Sequence, residues 1–437
     1  MNVSVVLFTS DLRLHDHPPL TAALAGAREV VPLFVRDPRC TAPARLAFLA
    51  DCLRDLDAGL RERGGRLVVR SGDPVEEVAR IVAETGAGAV HMAADVSGFA
   101  QRREERLRQA LGARLHVHDA VNAAVAPGAV LPAGSDHFAV FTPYYRHWSR
   151  TPLRHPLAAP RTVRVPEGVA SEPLPAGEGT GGETAGRARL AAWLRTGVNA
   201  YEERHDDLAG DATSKLSAHL HFGTLSPVEL VHLVRTVPGP GAEAFRRQVA
   251  WRDFHRQVLA ARPDAAHADY RTKHDRWRTG ADARDDIEAW RAGRTGYPVV
   301  DAAMRQLLHE GWMHNRGRLL AASFLTKTLY IDWRVGAAHF MSLLVDADVA
   351  NNQLNWQWTA GTGTDSRPNR VLNPVTQAKR YDPEGVYVRR WVPELAGVEG
   401  PLVHEPWRLR GAVADYPGPI VDLADGLARF RRARGLD

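Results

Sequence analysis

The feature that most constrains the fold is a change in the hydrophobic pattern along the chain. Four short β-branched runs near the N-terminus suit buried strands: residues 3–8, 30–35, 66–69 and 89–92. Between them, Pro43–Glu62 and Pro74–Glu84 place leucines and valines at helical spacing. Strands that alternate with helices predict a doubly wound parallel sheet, a Rossmann-like α/β domain, over residues 1–135.

The pattern becomes helical after a linker. Residues 151–186 are rich in proline, glycine, alanine and glutamate, and they lie inside a predicted linker at 136–187. Beyond it, residues 297–311 are typical, with a proline in the first turn and a final glycine. Their predicted apolar face is Val299, Val300, Ala303, Met304, Leu307 and Leu308. An all-α domain is therefore predicted over residues 188–437, and a chain of 437 residues suits two domains.

Composition limits the possible functions. No N-terminal stretch has the pattern of a signal peptide and no apolar run is long enough to span a bilayer, so we predict a cytoplasmic protein without a membrane partner. A net charge of +5 permits a polyanionic partner without requiring one. Cys40 and Cys52 form no disulfide or zinc pattern, so both are predicted to be reduced and structural. The histidines show no metal-site spacing, and no metal is predicted.

Residues 346–370 carry more polar and aromatic side chains than a surface helix requires. Two carboxylates and three amides precede two large indoles: Asp346, Asp348, Asn351, Asn352, Asn355, Trp356 and Trp358. Such a cluster predicts a lined pocket. The alternative is a buried turn in which the carboxylates cap helices and the tryptophans fill the core.

Three other segments of the helical domain combine polar and aromatic groups. Thr213–Ser217 precedes a helical stretch and suits either a phosphate site or a plain N-cap. Residues 245–255 set an amide, an indole and a cation on one helical face. In residues 312–318, Asn315 and Arg318 are three apart and share a face. An arginine there can pair with a carboxylate such as Asp346 while it holds a ligand.

Six segments resemble the cryptochrome/photolyase family, most closely its class I cyclobutane pyrimidine dimer photolyases, and their colinear order extends the resemblance over nearly the whole chain. They are residues 3–20, 213–217, 251–254, 296–305, 312–318 and 346–365. The resemblance implies a flavoprotein that holds FAD in a bent form inside the helical domain. It also implies an enzyme that uses light to repair pyrimidine dimers in DNA. Because the substrate is one lesion on one strand, a monomer is expected.

The resemblance assigns the cofactor contacts residue by residue. Contacts to the phosphate and ribitol region would come from Tyr201, Thr213, Ser214, Leu216 and Ser217. The ring system, adenine and ribose would be surrounded by Arg252, Asn315, Arg318, Asp346, Asp348, Asn352 and Asn355. The cofactor-binding set would be completed by Lys215, His255 and Trp312. Asn352 would face flavin N5, where its amide can both donate and accept a hydrogen bond.

The resemblance also implies a mechanism. Excited, fully reduced FADH⁻ would give one electron to the dimer, the ring would split, and the electron would return to the flavin. The lesion must first leave the duplex, a step that general accounts of base flipping attribute to photolyases. The flipped dimer would stack between Trp251 and Trp358, with Gln248, Asn315 and Leu319 around it.

Three tryptophans match the family's electron chain from the flavin to the surface. They are Trp356, Trp333 and Trp277. The spacing from Trp277 to Trp290 is longer here than in the family's pattern. Each of them could equally be a core residue, since large aromatics in an α-domain usually are.

One position departs from the pattern of cyclobutane photolyases, which usually carry a glutamate where this chain has Gln248. Glutamine at that place is a feature of (6-4) photolyases and animal cryptochromes. Those proteins, however, carry histidines at the places of Asn315 and Leu319, and Trp358 favours the cyclobutane pocket. Cyclobutane dimer repair is therefore expected. The alternatives are a cryptochrome-type blue-light photoreceptor, a (6-4) photoproduct lyase, and a nucleotide-binding α/β protein with an unrelated helical domain.

The α/β domain of this family often binds a second, light-harvesting chromophore. Residues 95–102 look more like a version that binds 8-hydroxy-deazaflavin than one that binds methenyltetrahydrofolate. An empty antenna site is the alternative.

Overall fold

The computed structural model describes residues 2–38, 42–210, 212–411 and 413–436. The chain forms two compact units. We call Met1–Glu202 with Ser214–Pro263 the sheet unit, and Glu203–Thr213 with Asp264–Asp437 the helical unit. Compactness thus groups residues 214–263 with the sheet, whereas the sequence pattern groups them with the later helices. The predicted boundaries after residues 135 and 187 stay a prediction.

The sheet unit contains five parallel strands in the order β3-β2-β1-β4-β5. They are β1 (Val3–Phe8), β2 (Glu29–Arg36), β3 (Val68–Ser71), β4 (Ala89–Ala93) and β5 (Leu115–His118). The predicted doubly wound parallel sheet is confirmed, although β3 begins two residues later than predicted. All six residues of β1 are buried, which fits a central strand with both faces covered. Sequence analysis missed β5, because its Leu-His-Val-His sequence is not a continuous apolar run.

Helices connect the strands and continue to Pro263. They are α1 (Pro18–Gly26), α2 (Pro43–Arg61), α3 (Pro74–Thr85), α4 (Gly98–Leu111), α5 (Phe141–Trp148), α6 (Glu183–Thr196), α7 (Tyr201–Arg204), α8 (Ser217–His221), α9 (Pro227–Arg235) and α10 (Pro240–Ala261). The two helices predicted here, α2 and α3, are confirmed. Asp73 caps α3 and Gly86 ends it in the left-handed conformation, at φ 63°.

The helical unit packs its helices around one apolar core. They are α11 (Ala281–Arg291), α12 (Pro298–Glu310), α13 (Asn315–Ser323), α14 (Trp333–Leu343), α15 (Val349–Ala360), α16 (Pro374–Tyr381), α17 (Val386–Trp391) and α18 (Leu423–Ala433). A π-helical turn, Phe324–Thr328, continues α13. The core includes Met304, Trp333 and Phe340.

The helix predicted over residues 297–311 is confirmed as α12, which begins at Pro298 and is followed by Gly311 at φ 60°. One residue of its predicted apolar face is wrong, because Leu308 is 48% exposed at the edge of the stripe. Cys52 is a buried free thiol, and burial raises its pKa, which fits a packing residue. Cys40 lies outside the described residues. Within the described part of the chain, no helix is long and apolar enough to cross a membrane.

Candidate functional site

The helical unit contains a cavity of about 490 Å³ that is open to solvent. Its lining combines amides, an ion pair, a hydroxyl and apolar side chains: Asn315, Arg318, Leu319, Ala322, Phe340, Leu344, Asp346, Asn351, Asn352, Asn355, Trp356 and Thr359. The sequence assigns site roles to Asn315, Arg318, Leu319, Asp346, Asn352, Asn355 and Trp356. Apolar walls with a few fixed polar groups are typical of a cofactor site.

One wall of the cavity comes from α13. Its lining residues recur at spacings of three, four and seven, so they share one face: Asn315, Arg318, Leu319 and Ala322. His314 caps this helix, because its Nδ1 accepts a hydrogen bond from the backbone N–H of Arg316 at 3.1 Å. Burial lowers the pKa of His314 to about 4, so the ring is neutral at pH 7 and Nδ1 can accept.

An ion pair joins α13 to the segment before α15. Arg318 Nη2 donates to Asp346 Oδ2 at 2.8 Å, and Arg318 Nε donates to the Met313 carbonyl at 2.9 Å. The Asp346 side chain is 4% exposed and that of Arg318 is 26% exposed. The pairing predicted from the sequence is confirmed, and it fixes a guanidinium at the cavity wall.

The second polar wall comes from α15. Its lining residues again recur at spacings of three, four and seven: Asn352, Asn355, Trp356 and Thr359. Asn352 Nδ2 donates to the Ala337 carbonyl on α14 at 3.1 Å, which orients the amide. Asp348 is the N-cap of α15 and accepts a hydrogen bond from the Asn351 backbone N–H at 2.9 Å. Both interpretations of the segment are therefore correct: Asp348 caps a helix, and its neighbours line a pocket.

Trp356 is buried at the inner side of α15. Its ring is 2% exposed and packs edge-on against Phe340, with centroids 4.9 Å apart. The close approach of α14 and α15 requires Gly336, because a Cβ there would lie 2.1 Å from the Trp356 ring. Trp356 is thus both a cavity wall and a core residue.

The other two predicted relay tryptophans also pack in the helical unit. Trp333 is fully buried and its Nε1 donates to Asp269 Oδ1 at 2.9 Å. Trp277 is half-buried against Tyr330, with ring centroids 4.9 Å apart. Since both side chains pack in or against the apolar core, their electron-transfer role stays a prediction.

Residues 357 and 358 point away from the cavity lining. Gln357 is buried and holds a turn, since its Oε1 accepts from the Tyr270 N–H at 2.7 Å and its Nε2 donates to the Ala265 carbonyl at 2.7 Å. Trp358 is half-buried, and the Arg370 guanidinium lies 5.5 Å from its ring centroid. Trp358 therefore belongs to a different surface of α15 from Trp356.

The predicted residues of α10 lie in the sheet unit. Gln248 is exposed, and Trp251 is half-buried and stacked on Phe141 at 3.8 Å and 7°. Arg252 donates to the carbonyls of Asn122 and Leu220, at 2.5 and 3.1 Å.

Further along α10, His255 is buried, with its ring centroid 5.5 Å from that of Trp251. The stacking on Phe141 fixes the ring of Trp251. The contacts of α10 to a flavin or to DNA stay a prediction.

The segment Thr213–Ser217 leads into α8. Leu216 occupies the N-cap position without a side-chain hydrogen bond, so the plain N-cap alternative is wrong. Ser214 Oγ instead accepts from the Leu216 N–H at 3.4 Å, and Lys215 has a positive φ of 51°.

Three further predicted contacts do not line the cavity. Tyr201 is buried against Trp193 and Phe245 in the sheet unit. Trp312 is half-buried near His314, and Asp348 serves as the helix cap described above. Their roles toward a cofactor stay predictions.

The cavity fits a flavin in the chemistry of its walls. Amides and a guanidinium suit the hydrogen-bonding edge of a flavin ring, and the apolar side chains suit its faces. Thr359 Oγ1 is buried in the wall and has no hydrogen-bond partner among the described residues. An unsatisfied buried hydroxyl is costly unless a ligand pairs with it. The described residues contain no cluster that could hold a metal ion.

Four lining residues were not predicted from the sequence: Ala322, Phe340, Leu344 and Thr359. Asn351 belongs to the predicted pocket cluster, although no individual role was assigned to it. A signal existed for two of the four, because Ala322 and Thr359 follow predicted residues by seven positions on the same helix face. Phe340 and Leu344 carry no polar signal and come from a separate segment, so only the tertiary structure reveals them.

Comparison with known proteins agrees with this geometry. The family model described as FAD binding domain of DNA photolyase matches residues 245–434, and the one described as DNA photolyase matches residues 4–161. The chain is 64% identical to a deoxyribodipyrimidine photo-lyase of Streptomyces griseus, over 100% of both chains.

Two crystal structures are similar over nearly their full lengths. A bacterial class III photolyase from Agrobacterium tumefaciens has a TM-score of 0.93 at 32% identity, with 100% of this chain and 97% of that chain covered. A Synechocystis cryptochrome has a TM-score of 0.93 at 30% identity, with 99% of each chain covered. The fold alone therefore does not separate repair enzymes from cryptochromes.

Proposed function

The chain belongs to the DNA photolyase and cryptochrome family, and on that premise we propose the substrate and residue roles given below. Its function is the light-dependent repair of cyclobutane pyrimidine dimers in DNA, a carbon–carbon lyase reaction. The observation that carries this conclusion is the 64% identity, over the full length of both chains, to a deoxyribodipyrimidine photo-lyase. The cofactor is FAD, in keeping with the matched FAD-binding domain.

The amide-lined cavity of the helical unit is the proposed flavin site. When bound, FAD in its reduced form supplies under light the electron that opens the dimer and takes it back afterwards. Arg318 places a positive charge at the wall, and Asp346 and the Met313 carbonyl hold it in one orientation. Asn352 and Asn355 offer amide groups that both donate and accept.

The apolar part of the cavity suits the faces of a flavin ring. Phe340, Leu344 and Trp356 form this part of the wall.

The proposed lesion contacts use indole and amide groups outside the cavity core. Trp358 in the helical unit, and Trp251 and Gln248 in the sheet unit, offer stacking surfaces and one amide. Base stacking on an aromatic side chain contributes about 1–3 kcal/mol per base. The half-burial of both indoles supports this role, since each ring keeps part of its surface accessible while packing holds it.

The proposed electron relay is Trp356, Trp333 and Trp277. Its support is a graded exposure, from two buried indoles to the half-buried Trp277. A relay from a buried cofactor to solvent needs a partly exposed tryptophan at its outer end, and Trp277 has that exposure.

The alternative functions are less well supported. A cryptochrome shares the fold, but the 64% identical relative is a photo-lyase by name. Repair of (6-4) photoproducts needs a proton donor at the place of Asn315 and Leu319. Both of these line the cavity, and neither side chain titrates.

The antenna and the assembly remain part of the proposal. We assign 8-hydroxy-deazaflavin to the sheet unit, near residues 95–102, in preference to methenyltetrahydrofolate or an empty site. Asp95 there accepts a hydrogen bond from Arg256 at 2.8 Å, and Ser97 caps α4. The proposed partner is DNA that contains pyrimidine dimers, bound by a monomer in the cytoplasm.

The test incubates purified, flavin-reduced protein with ultraviolet-irradiated oligothymidine under blue light. Dimer content should fall in the light and stay constant in the dark. An oligonucleotide with a (6-4) photoproduct serves as the matched substrate control and should remain unchanged. Unchanged dimer content in the light would contradict cyclobutane repair, and a preparation without flavin absorbance would contradict the cofactor.

A further inference from the structure

Lys327 is a buried cation in the helical unit. It is 2% exposed and belongs to the π-helical turn Phe324–Thr328, directly after α13. Turns of this kind occur frequently at functional sites. Burial lowers the pKa of Lys327 to about 7, so the fold disfavours a charge at this place. A residue kept in spite of that cost calls for a physical reason.

The Lys327 ammonium holds the backbone of the loop that follows α15. Its Nζ donates to the Pro368 carbonyl at 2.8 Å and to the Arg370 carbonyl at 2.7 Å. The side chain can make both hydrogen bonds whether or not it is protonated, because even the neutral amine carries two N–H groups. We call residues 361–372 the anchored loop.

Two more contacts fix the anchored loop at its ends. Gly361 ends α15 at φ 83°, and a Cβ there would lie 2.3 Å from the Pro368 carbonyl oxygen. Ser323 Oγ accepts a hydrogen bond from the Leu372 N–H at 3.1 Å. The loop is therefore held from α13 and from the end of α15.

The anchored loop brings a cation to Trp358. The Arg370 guanidinium lies 5.5 Å from the centroid of the Trp358 ring, within the range of a cation–π interaction. Arg370 is exposed, so its backbone must be held if its side chain is to stay over the ring. The Lys327 ammonium provides that support at the Arg370 carbonyl itself.

We propose that Lys327 is a positioning residue for dimer binding, which acts by fixing the anchored loop so that Arg370 orients the Trp358 ring. The inference rests on the proposed function in one respect, the contact between Trp358 and the dimer. The chain of contacts runs from Lys327 to the loop carbonyls, from the loop to Arg370, and from Arg370 to the indole.

A role in core packing alone does not explain a lysine at this position. Methionine has a similar length and would fill the space without the cost of burying a charge. Replacing buried ions with apolar side chains is often neutral or stabilising. Methionine cannot, however, donate hydrogen bonds to the carbonyls of Pro368 and Arg370. The loop contacts are what distinguishes the two side chains.

The first experiment measures binding by the full-length, flavin-loaded protein to an oligonucleotide with one cyclobutane dimer. Lys327→Met should raise the Kd in the dark by about threefold, because the two hydrogen bonds that hold the loop are lost while the Trp358 indole itself remains. Flavin absorbance and kcat at saturating oligonucleotide should stay at wild-type values. Lys379→Met is the matched control, since it removes a surface lysine that pairs with Glu405, and its Kd should be unchanged.

A second readout needs neither light nor DNA. Trypsin can cut the Arg370–Val371 bond, whose carbonyl is the one that Lys327 holds, whereas the Arg367–Pro368 bond resists trypsin. Native proteolysis at Arg370 should become about tenfold faster in Lys327→Met, because the loop opens more often. The Lys379→Met control should be cut at the wild-type rate.

Arg370→Ala completes a double-mutant cycle. If Lys327 acts through Arg370, the double variant should bind the dimer no more weakly than either single variant. Where methionine prevents folding, Lys327→Gln keeps an N–H donor and should give an intermediate Kd.

Three results would overturn the proposal: an unchanged Kd in Lys327→Met, effects of the two substitutions that multiply, or loss of flavin together with the weaker binding. Wild-type protein that neither binds nor repairs the dimer would contradict the proposed function instead. In that case the trypsin rates would still test whether Lys327 holds the loop.

Discussion

Trp356 and Trp358 are two residues apart on α15 and serve two different surfaces. Trp356 is 2% exposed, lines the cavity and packs against Phe340 and Gly336. Trp358 is half-buried and lies beneath the guanidinium of Arg370. Residues two apart on a helix do not face each other, so one short motif supplies both surfaces. We call them the cavity face and the loop face of α15.

The side of α15 on which a tryptophan lies, and not the residue type, therefore determines its role. The indole of Trp356 is buried in the cavity wall, whereas the indole of Trp358 keeps a partly accessible surface for stacking. Gln357, between them, makes hydrogen bonds to the backbone of Tyr270 and Ala265 and so fixes the rotation of α15. The two faces should therefore respond separately to substitution.

The largest difference between the two faces is expected for Asp346→Asn, which should affect flavin binding at the cavity. This change removes the carboxylate charge opposite Arg318 and leaves the guanidinium at the cavity wall without its ion-pair partner. Breaking a buried pair on one side costs about 3–5 kcal/mol, and the partial exposure of Arg318 reduces that figure. We expect flavin affinity to fall by roughly a hundredfold, measured as the flavin-to-protein ratio during titration of apoprotein with FAD.

The control for this prediction is Trp358→Ala on the loop face. It should keep the flavin and weaken dark binding of the dimer oligonucleotide by about tenfold, the loss expected for one stacked base. If Trp358→Ala loses flavin as readily as Asp346→Asn, the two faces are not independent and the comparison fails.

The cavity walls on α13 and α15 were largely predictable from sequence, because the lining residues recur at spacings of three, four and seven within each helix. The pairing of Arg318 with a carboxylate such as Asp346 was predicted from opposite charge. Thr359 could have been found by extending the same face. The loop face was not predictable in this way, since Lys327 and Arg370 are 43 positions apart and no local spacing relates them.

The strands of the sheet were also only partly predictable from local sequence. Largely apolar runs made β1, β2 and β4 predictable, because a parallel sheet buries both faces of its central strands. The edge strand β5 alternates leucine or valine with histidine, and only pairing with β4 makes it a strand. The role of Asp348 was open for a related reason: a carboxylate before a helix suits a cap and a ligand equally well.

The second prediction concerns the proposed electron relay, which would begin at Trp356 on the cavity face and continue to Trp333 on α14. Trp333→Phe should slow photoreduction of the oxidised flavin at least about tenfold, because phenylalanine is much harder to oxidise than tryptophan. Repair by chemically reduced enzyme should stay unchanged. The smaller ring leaves a cavity in the core and the indole's hydrogen bond to Asp269 is lost, so a stability loss of about 2 kcal/mol is expected.

Trp358→Phe is the matched control, because it makes the same substitution on the loop face. Its photoreduction rate, followed by flavin absorbance under blue light, should equal that of the wild type. Unaltered photoreduction in Trp333→Phe would remove Trp333 from the relay, and equal slowing in both variants would remove the distinction between the faces.

The smallest effect is a pH dependence confined to the cavity face. The pKa of His314 is lowered to about 4 by burial, and Arg316 and Arg318 lower it further while Asp206 and Asp207 raise it. Between pH 6.5 and 4 the unfolded chain binds a proton at this ring and the folded chain does not, so falling pH destabilises the folded state.

His314→Asn keeps a capping acceptor at the start of α13 but removes the titration. Flavin release at pH 5 should therefore be a few-fold slower in His314→Asn than in the wild type, with equal rates at pH 7.5. His339 in the same unit, whose pKa is also lowered to about 4, leaves a residual acid sensitivity in the variant. Equal release rates at pH 5 would show that protonation at the α13 cap does not control the cavity face.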